Sequence, residues 1–131
     1  MPRLYHSVSP VVGSPHVFIA TPSTNICGNY TFAVAAGIPR VMNEGVAVDY
    51  CLLLDNCHVD DARNSIVRAF LMTDCTDLVF IDADVGFRAS DLIKLCLKMD
   101  KDIVGGVYPF KSPDGDEGYP VRVAPGVALQ A

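Results

Sequence analysis

Positive charge is scarce in this sequence: ten Lys and Arg residues stand against fifteen Asp and Glu, for a formal net charge of −5. A general nucleic-acid binder needs a positive field to release phosphate counterions, so that class is excluded. An anionic ligand stays compatible, provided that a metal ion or a local arginine inverts the field. Long apolar runs are missing too. Runs such as "CLLL" and "LVFI" fall far short of the roughly 20 residues needed to span a bilayer. The opening "MPRLYHSVSP" lacks the apolar core of a signal peptide. The five cysteines are odd in number and lack the close paired spacing of a zinc site. Cys51 and Cys96 sit inside apolar stretches, where a reduced cysteine behaves as a small hydrophobe. Together these absences predict a soluble chain in a reducing compartment, the cytoplasm.

What the chain does have is core. Half of its 131 residues are hydrophobic and 19% are charged, which excludes intrinsic disorder. That length makes one domain, 1–131, able to bury a sizeable interior.

The pattern alternates strands with helices. Residues 1–15, with three prolines and a glycine, read as a loose arm or a short edge element. "HVFIATPST" is a strand closed by a loop. A helix follows over about 29–36, with Gly37 and Pro39 expected to break or kink it and Gly45 to stop a further turn. "VAVDYCLLLDN" is a second strand, and "DDARNSIVRAFLM" a helix capped by Asp60 or Asp61. "DLVFIDADVGF" supplies a third strand; Ser90 caps the helix "DLIKLCLKM", and "DIVGGVYP" is a fourth strand. Such alternation predicts an α/β fold with a mostly parallel central sheet. Residues 112–131 are turn-rich, leaving 16–111 as the folded core.

In an open α/β sheet, ligands bind beyond the carboxyl ends of the strands. Three predicted strand ends carry polar groups: Thr21-Pro22-Ser23, Asp55-Asn56 and Asp82-Ala83-Asp84. On an extended chain, Asp82 and Asp84 project to one side. Paired carboxylates repel, and a hard divalent ion, Mn²⁺ or Mg²⁺, would neutralise them and in turn hold a diphosphate. The plainer alternative is a turn cap beside a solvated aspartate. Arg63, in the first turn of its helix, is placed either to meet a phosphate or to pair with Asp60 or Asp61. Tyr108 and Lys111 follow the fourth strand, where a solvated lysine is the commoner outcome. His6, His16 and His58 share no spacing and read as structural or exposed.

The order of these motifs, a strand ending in Thr-Pro-Ser, then "ARN", "DLVFIDADVGF" and "DIVGGVYPFK", resembles the nucleotide-sugar-binding half of GT-A-fold glycosyltransferases of the family-2-like type. The similarity covers 16–111. It implies a three-layer α/β/α fold and a metal-dependent glycosyltransferase using a UDP- or GDP-sugar. Asp82-Ala83-Asp84 would be the DXD motif, Asp84 holding the metal and Asp82 the metal or the ribose. Thr21, Pro22 and Ser23 would line the nucleoside pocket, Asp55 would lie near the base, and Arg63 near the phosphates. Relatives continue well past the point where this chain stops, so the expectation is a truncated member with no assignable catalytic base.

Two other readings compete. One is a non-catalytic α/β binding or interaction module. The other is a Mg²⁺-dependent haloacid-dehalogenase-like phosphatase, whose first aspartate is a nucleophile; that motif normally follows the first strand of its domain. The open edge of the fourth strand could also pair with a second copy.

Overall fold

The computed structural model describes residues 2–7, 15–97, 101–108 and 125. Its elements run β1 (Arg3–Ser7), β2 (His16–Ser23), α1 (Gly28–Asn43), β3 (Ala47–Leu54), α2 (Val59–Leu71), β4 (Asp77–Phe80) and α3 (Ala89–Cys96). The strands form one mixed sheet in the order β1-β3-β2-β4. β2 pairs in parallel with β3 on one side and β4 on the other, while β1 runs antiparallel along β3.

Side-chain alternation along β2 divides the core in two. Val17 and Ile19 point to one face and pack with Tyr30 and Val41 of α1 and Leu92 and Cys96 of α3. Phe18 and Ala20 point to the other and pack with Cys51 and Leu53 of β3 and Ala62 and Ile66 of α2. All four β2 residues are fully buried, which is why this strand reads as an unbroken apolar run rather than an alternating one. Phe70 of α2 closes edge-on against Phe18, with ring centroids 5.8 Å apart.

Several local expectations are corrected. The helix predicted over 29–36 runs through Gly37 and Pro39 to Asn43. Pro39 lies on the exposed side, and Val34, Ile38 and Met42 pack against the core on either side of it, which offsets the lost backbone bond. Gly37 serves the packing of helix on helix: a Cβ there would stand 2.9 Å from Leu92 Cδ2 of α3. α2 begins after His58 rather than at an aspartate cap, and Asp60 and Asp61 occupy its first turn, where they favour the helix dipole. α3 begins after Arg88, whose backbone N–H donates to Asp91 Oδ2 at 3.1 Å, so Ser90 lies within the first turn instead of capping it.

The larger correction concerns the fourth predicted strand. Residues 102–108 form no strand; residues 102–106 line a groove together with β4. Gly105 and Gly106 bring no side chain to hold a ladder, and Ile103 is 93% exposed. The sheet takes its fourth strand instead from β1, within the stretch read as an arm or edge element, and the antiparallel pairing of β1 with β3 makes it mixed. Lys111 and the segment 112–124 lie outside the described residues. No helix among the described residues is long and apolar enough to cross a membrane.

Candidate functional site

The order β3-β2-β4 means that the chain leaves β2 for β3 and then doubles back across it to reach β4. At such a reversal the loops beyond the strand ends diverge and leave a crevice. Here the crevice is a cleft of about 490 Å³. Three walls meet in it: Pro22, Ser23, Thr24 and Asn25 after β2; Asn56, Cys57, Val59, Ala62 and Arg63 at the start of α2; and Asp82, Ala83 and Asp84 after β4.

Hydrogen bonds fix each wall. The backbone N–H of Ile81 donates to the Ala20 carbonyl at 3.0 Å, extending the β2–β4 pairing to the cleft floor. Cys27 N–H donates to the Ala83 carbonyl at 3.0 Å and ties the β2–α1 loop to the aspartate segment. Ser23 Oγ donates to the Asn25 carbonyl within that loop. On the opposite wall, Asn56 Oδ1 accepts from His58 N–H at 3.0 Å, while its Nδ2 donates to Asp61 Oδ2 at 2.7 Å. One asparagine thereby shapes the approach to α2, and occupies Asp61 in doing so.

Asp82 and Asp84 both line the cleft, but not as neighbours on an extended strand. β4 ends at Phe80, and a turn follows in which Val85 N–H donates to the Asp82 carbonyl at 3.2 Å. The i, i+2 geometry expected of a strand is replaced by a turn around Ala83, which is buried and anchors it. Asp82 is half-buried and Asp84 exposed. Arg63 reaches from α2 to Asp82, Nη2 to Oδ1 at 3.2 Å, and its guanidinium lies 5.3 Å from the centre of the Phe80 ring. The expected pairing of Arg63 with Asp60 or Asp61 gives way to this contact across the cleft. A permanent cation thus stands beside the carboxylates.

The remaining predicted site residues divide. Pro22 and Ser23 line the cleft. Thr21 does not reach it: its side chain is fully buried, and Oγ1 lies 2.5 Å from the Tyr30 hydroxyl, which is itself 2.5 Å from the Tyr50 hydroxyl. Burial raises both phenols above their ordinary range, and the bond to Tyr30 adds to the effect at Tyr50. Asp55 stands outside the cleft lining. It adopts a left-handed backbone conformation, φ 63°, and accepts from Arg3 Nε of β1 at 2.8 Å. Tyr108 is about half exposed, and no described contact brings it to the cleft.

Sequence reasoning read His16 as structural or exposed and missed the polar group to which it belongs. His16, Asp49 and Cys75 meet at the other end of the sheet. Burial pushes the Cys75 thiol up, against the lowering effect of a bond to Thr73, and the Asp49 charge adds to the rise. The one signal in the sequence was Asp49 itself, an acid inside the apolar run "AVDYCLLL". All five cysteines are free; burial lifts the Cys51 and Cys96 thiols to about 11, with Asp77 contributing at Cys96.

Comparison with known proteins supplies no relative: no family model, no curated protein and no solved structure matches the chain.

Proposed function

We propose that the cleft binds a nucleoside diphosphate sugar through a divalent ion on Asp82 and Asp84, in the manner of a GT-A-fold glycosyltransferase or its donor-binding half. The observation that carries this reading is convergence: two carboxylates, a guanidinium and a helix N-terminus share one cleft at the reversal of strand order. The donor set is all oxygen, which fits a hard ion, Mn²⁺ or Mg²⁺. Asp82 and Asp84 would hold such an ion, which would supply Lewis-acid charge to a departing diphosphate.

The chain's own residues do the rest. Arg63 presents a forked, permanently charged donor to the phosphates, moving from Asp82 as the anion arrives. Free N–H groups at the start of α2 favour the same negative charge. Pro22 and Val59 offer apolar surface to the nucleoside, with Ser23 and Asn56 as polar contacts. Catalysis in this scheme is electrostatic stabilisation of the leaving group rather than proton transfer. A volume of about 490 Å³ suits one small ligand.

A second reading, a non-catalytic interaction module, is favoured by one observation. Arg63 already neutralises Asp82, so the acidic pair is partly satisfied without a metal. The phosphatase reading loses ground, since β4 is preceded by three strands rather than opening the sheet.

Incubation of the chain with UDP- and GDP-sugars and Mn²⁺, followed by assay of released nucleoside diphosphate, separates these readings. Metal-dependent release that Asp84→Ala abolishes supports a transferase. Hydrolysis of a generic phosphomonoester without nucleotide preference would replace it with the phosphatase. Metal-dependent binding without release leaves a donor-binding half, and no binding at all leaves the interaction module.

A further inference from the structure

The end of the sheet opposite the cleft holds a chemically distinct cluster. Asp49 lies on β3 in the same row as Cys51 and Leu53, facing α2, and is 2% exposed. A carboxylate so deeply placed in an apolar row is costly unless a cation or donor meets it. His16, the first residue of β2, meets it, with Nε2 2.6 Å from Asp49 Oδ1. Cys75, in the turn between α2 and β4, completes the group: imidazole nitrogen, carboxylate oxygen and thiol sulfur all lie within 4.8 Å of one another.

The backbone holds these three in place. Thr76 N–H donates to the His16 carbonyl at 2.8 Å, and Thr76 Oγ1 donates to it at 3.0 Å. Thr73 Oγ1 donates to the Phe70 carbonyl at 2.7 Å and accepts from Cys75 N–H at 3.3 Å. The turn that carries the thiol is thus tied both to the end of α2 and to the start of β2. Parallel register places His16 beside Ala47, one step before Val48 and two before Asp49.

We propose that His16, Asp49 and Cys75 form a binding site for a borderline-soft divalent ion, Zn²⁺, that joins the start of β2, the body of β3 and the α2–β4 turn. The donor chemistry selects the metal. A thiolate excludes Mg²⁺ and Ca²⁺, whereas one nitrogen, one oxygen and one sulfur suit tetrahedral Zn²⁺ with a solvent molecule in the fourth position. Binding displaces the Cys75 thiol proton to solvent, and the proton that joins Nε2 of His16 to Asp49 leaves Nε2, for Nδ1 or for solvent, before that nitrogen ligates. Bonds of about 2.0–2.3 Å set neighbouring ligand atoms roughly 3.3–3.6 Å apart. The His16–Asp49 separation of 2.6 Å therefore opens by less than about 1 Å, and the thiol sulfur, within 4.8 Å of the other two ligand atoms, closes on them by no more than about 1.5 Å. Without the ion, the same groups remain a hydrogen-bonded cluster. A cysteine nucleophile is a poorer account, because Nε2 of His16 is engaged by Asp49 and the field around the thiol is negative.

The site is independent of the cleft. Seven residue steps along β2 separate His16 from Ser23, about 23 Å at strand rise. Titration of the reduced full chain with Co²⁺ tests the proposal. The expected result is a thiolate-to-cobalt charge-transfer band and intense tetrahedral d–d bands saturating at a single equivalent, both displaced by Zn²⁺. Cys75→Ser removes the charge-transfer band, Cys27→Ser and Cys57→Ser keep it, and His16→Gln lowers Co²⁺ affinity by roughly tenfold or more. No charge-transfer band in the unmodified chain, or a band that survives Cys75→Ser, overturns the site. Should Cys75→Ser fail to fold, His16→Gln decides: unchanged Co²⁺ affinity overturns it equally.

Discussion

Arg63→Ala should move two affinities in opposite directions. In the unliganded protein the guanidinium lies 3.2 Å from Asp82, with both side chains nearly half exposed. An ion pair of that exposure contributes about 0.2–1 kcal/mol. Its contact with the Phe80 ring adds about 0.5–1 kcal/mol, so the variant should lose no more than about 2 kcal/mol of stability and stay folded. A divalent ion on Asp82 has to displace the arginine, so removing the arginine returns the pair's worth to the metal. Mn²⁺ affinity in the absence of nucleotide should rise, by up to about fivefold. Nucleoside diphosphate loses its charge-assisted donor, worth about 1.5–3 kcal/mol. Its affinity should fall roughly 10- to 150-fold. Calorimetry of Mn²⁺ alone, then of UDP at saturating Mn²⁺, reads both effects. A fall in Mn²⁺ affinity, or an unchanged UDP affinity, would refute the role given to Arg63.

Other outcomes follow from the same structure. Thr21→Val removes a buried hydroxyl from the Tyr30–Tyr50 network and should cost about 1–3 kcal/mol in urea unfolding, while leaving nucleotide affinity unchanged; a selective loss of nucleotide binding would mean that Thr21 reaches the ligand after all. Gly37→Leu forces a side chain into the α1–α3 contact, where even a Cβ meets Leu92 at 2.9 Å, and should lower stability by about 1–3 kcal/mol despite better helix propensity. The Cys51 and Cys96 thiols hold their protons more tightly folded than unfolded. The stability they contribute is complete below the ordinary value of 9.0 and is lost as pH rises toward about 11. Thermal melts should therefore fall over that window, and Cys51→Ala with Cys96→Ala should flatten the fall; an unaltered slope would contradict the assignment.

The elements that sequence reading located best were those with strong periodicity. β2, β3 and β4 are short apolar runs, and α2 carries Ala62 and Ile66 at helical spacing, so their positions needed no tertiary information. The convergence of three strand ends at one cleft was legible for the same reason, since it follows from topology. Orientation was harder. Thr21 and Pro22 are adjacent, yet strand alternation turns Thr21 into the core and leaves Pro22 at the cleft, a distinction that needs the register of β2. Pro39 misled because propensity was outweighed by packing on both sides of it. "DIVGGVYP" has the composition of a strand, but two glycines and an exposed Ile103 leave too little to bury. The His16–Asp49–Cys75 group joins residues from three separate segments, and no spacing along the chain announces it.

Titration calorimetry of the chain with UDP and GDP, with and without Mn²⁺ and repeated on Asp84→Ala, tests the central claim most directly. The account predicts binding of at least one nucleotide that requires Mn²⁺ and disappears in Asp84→Ala, with the variant's fold intact by circular dichroism. Nucleotide binding indifferent to both the metal and Asp84, or no binding under any condition, would contradict it and leave the two aspartates as the turn that ends β4.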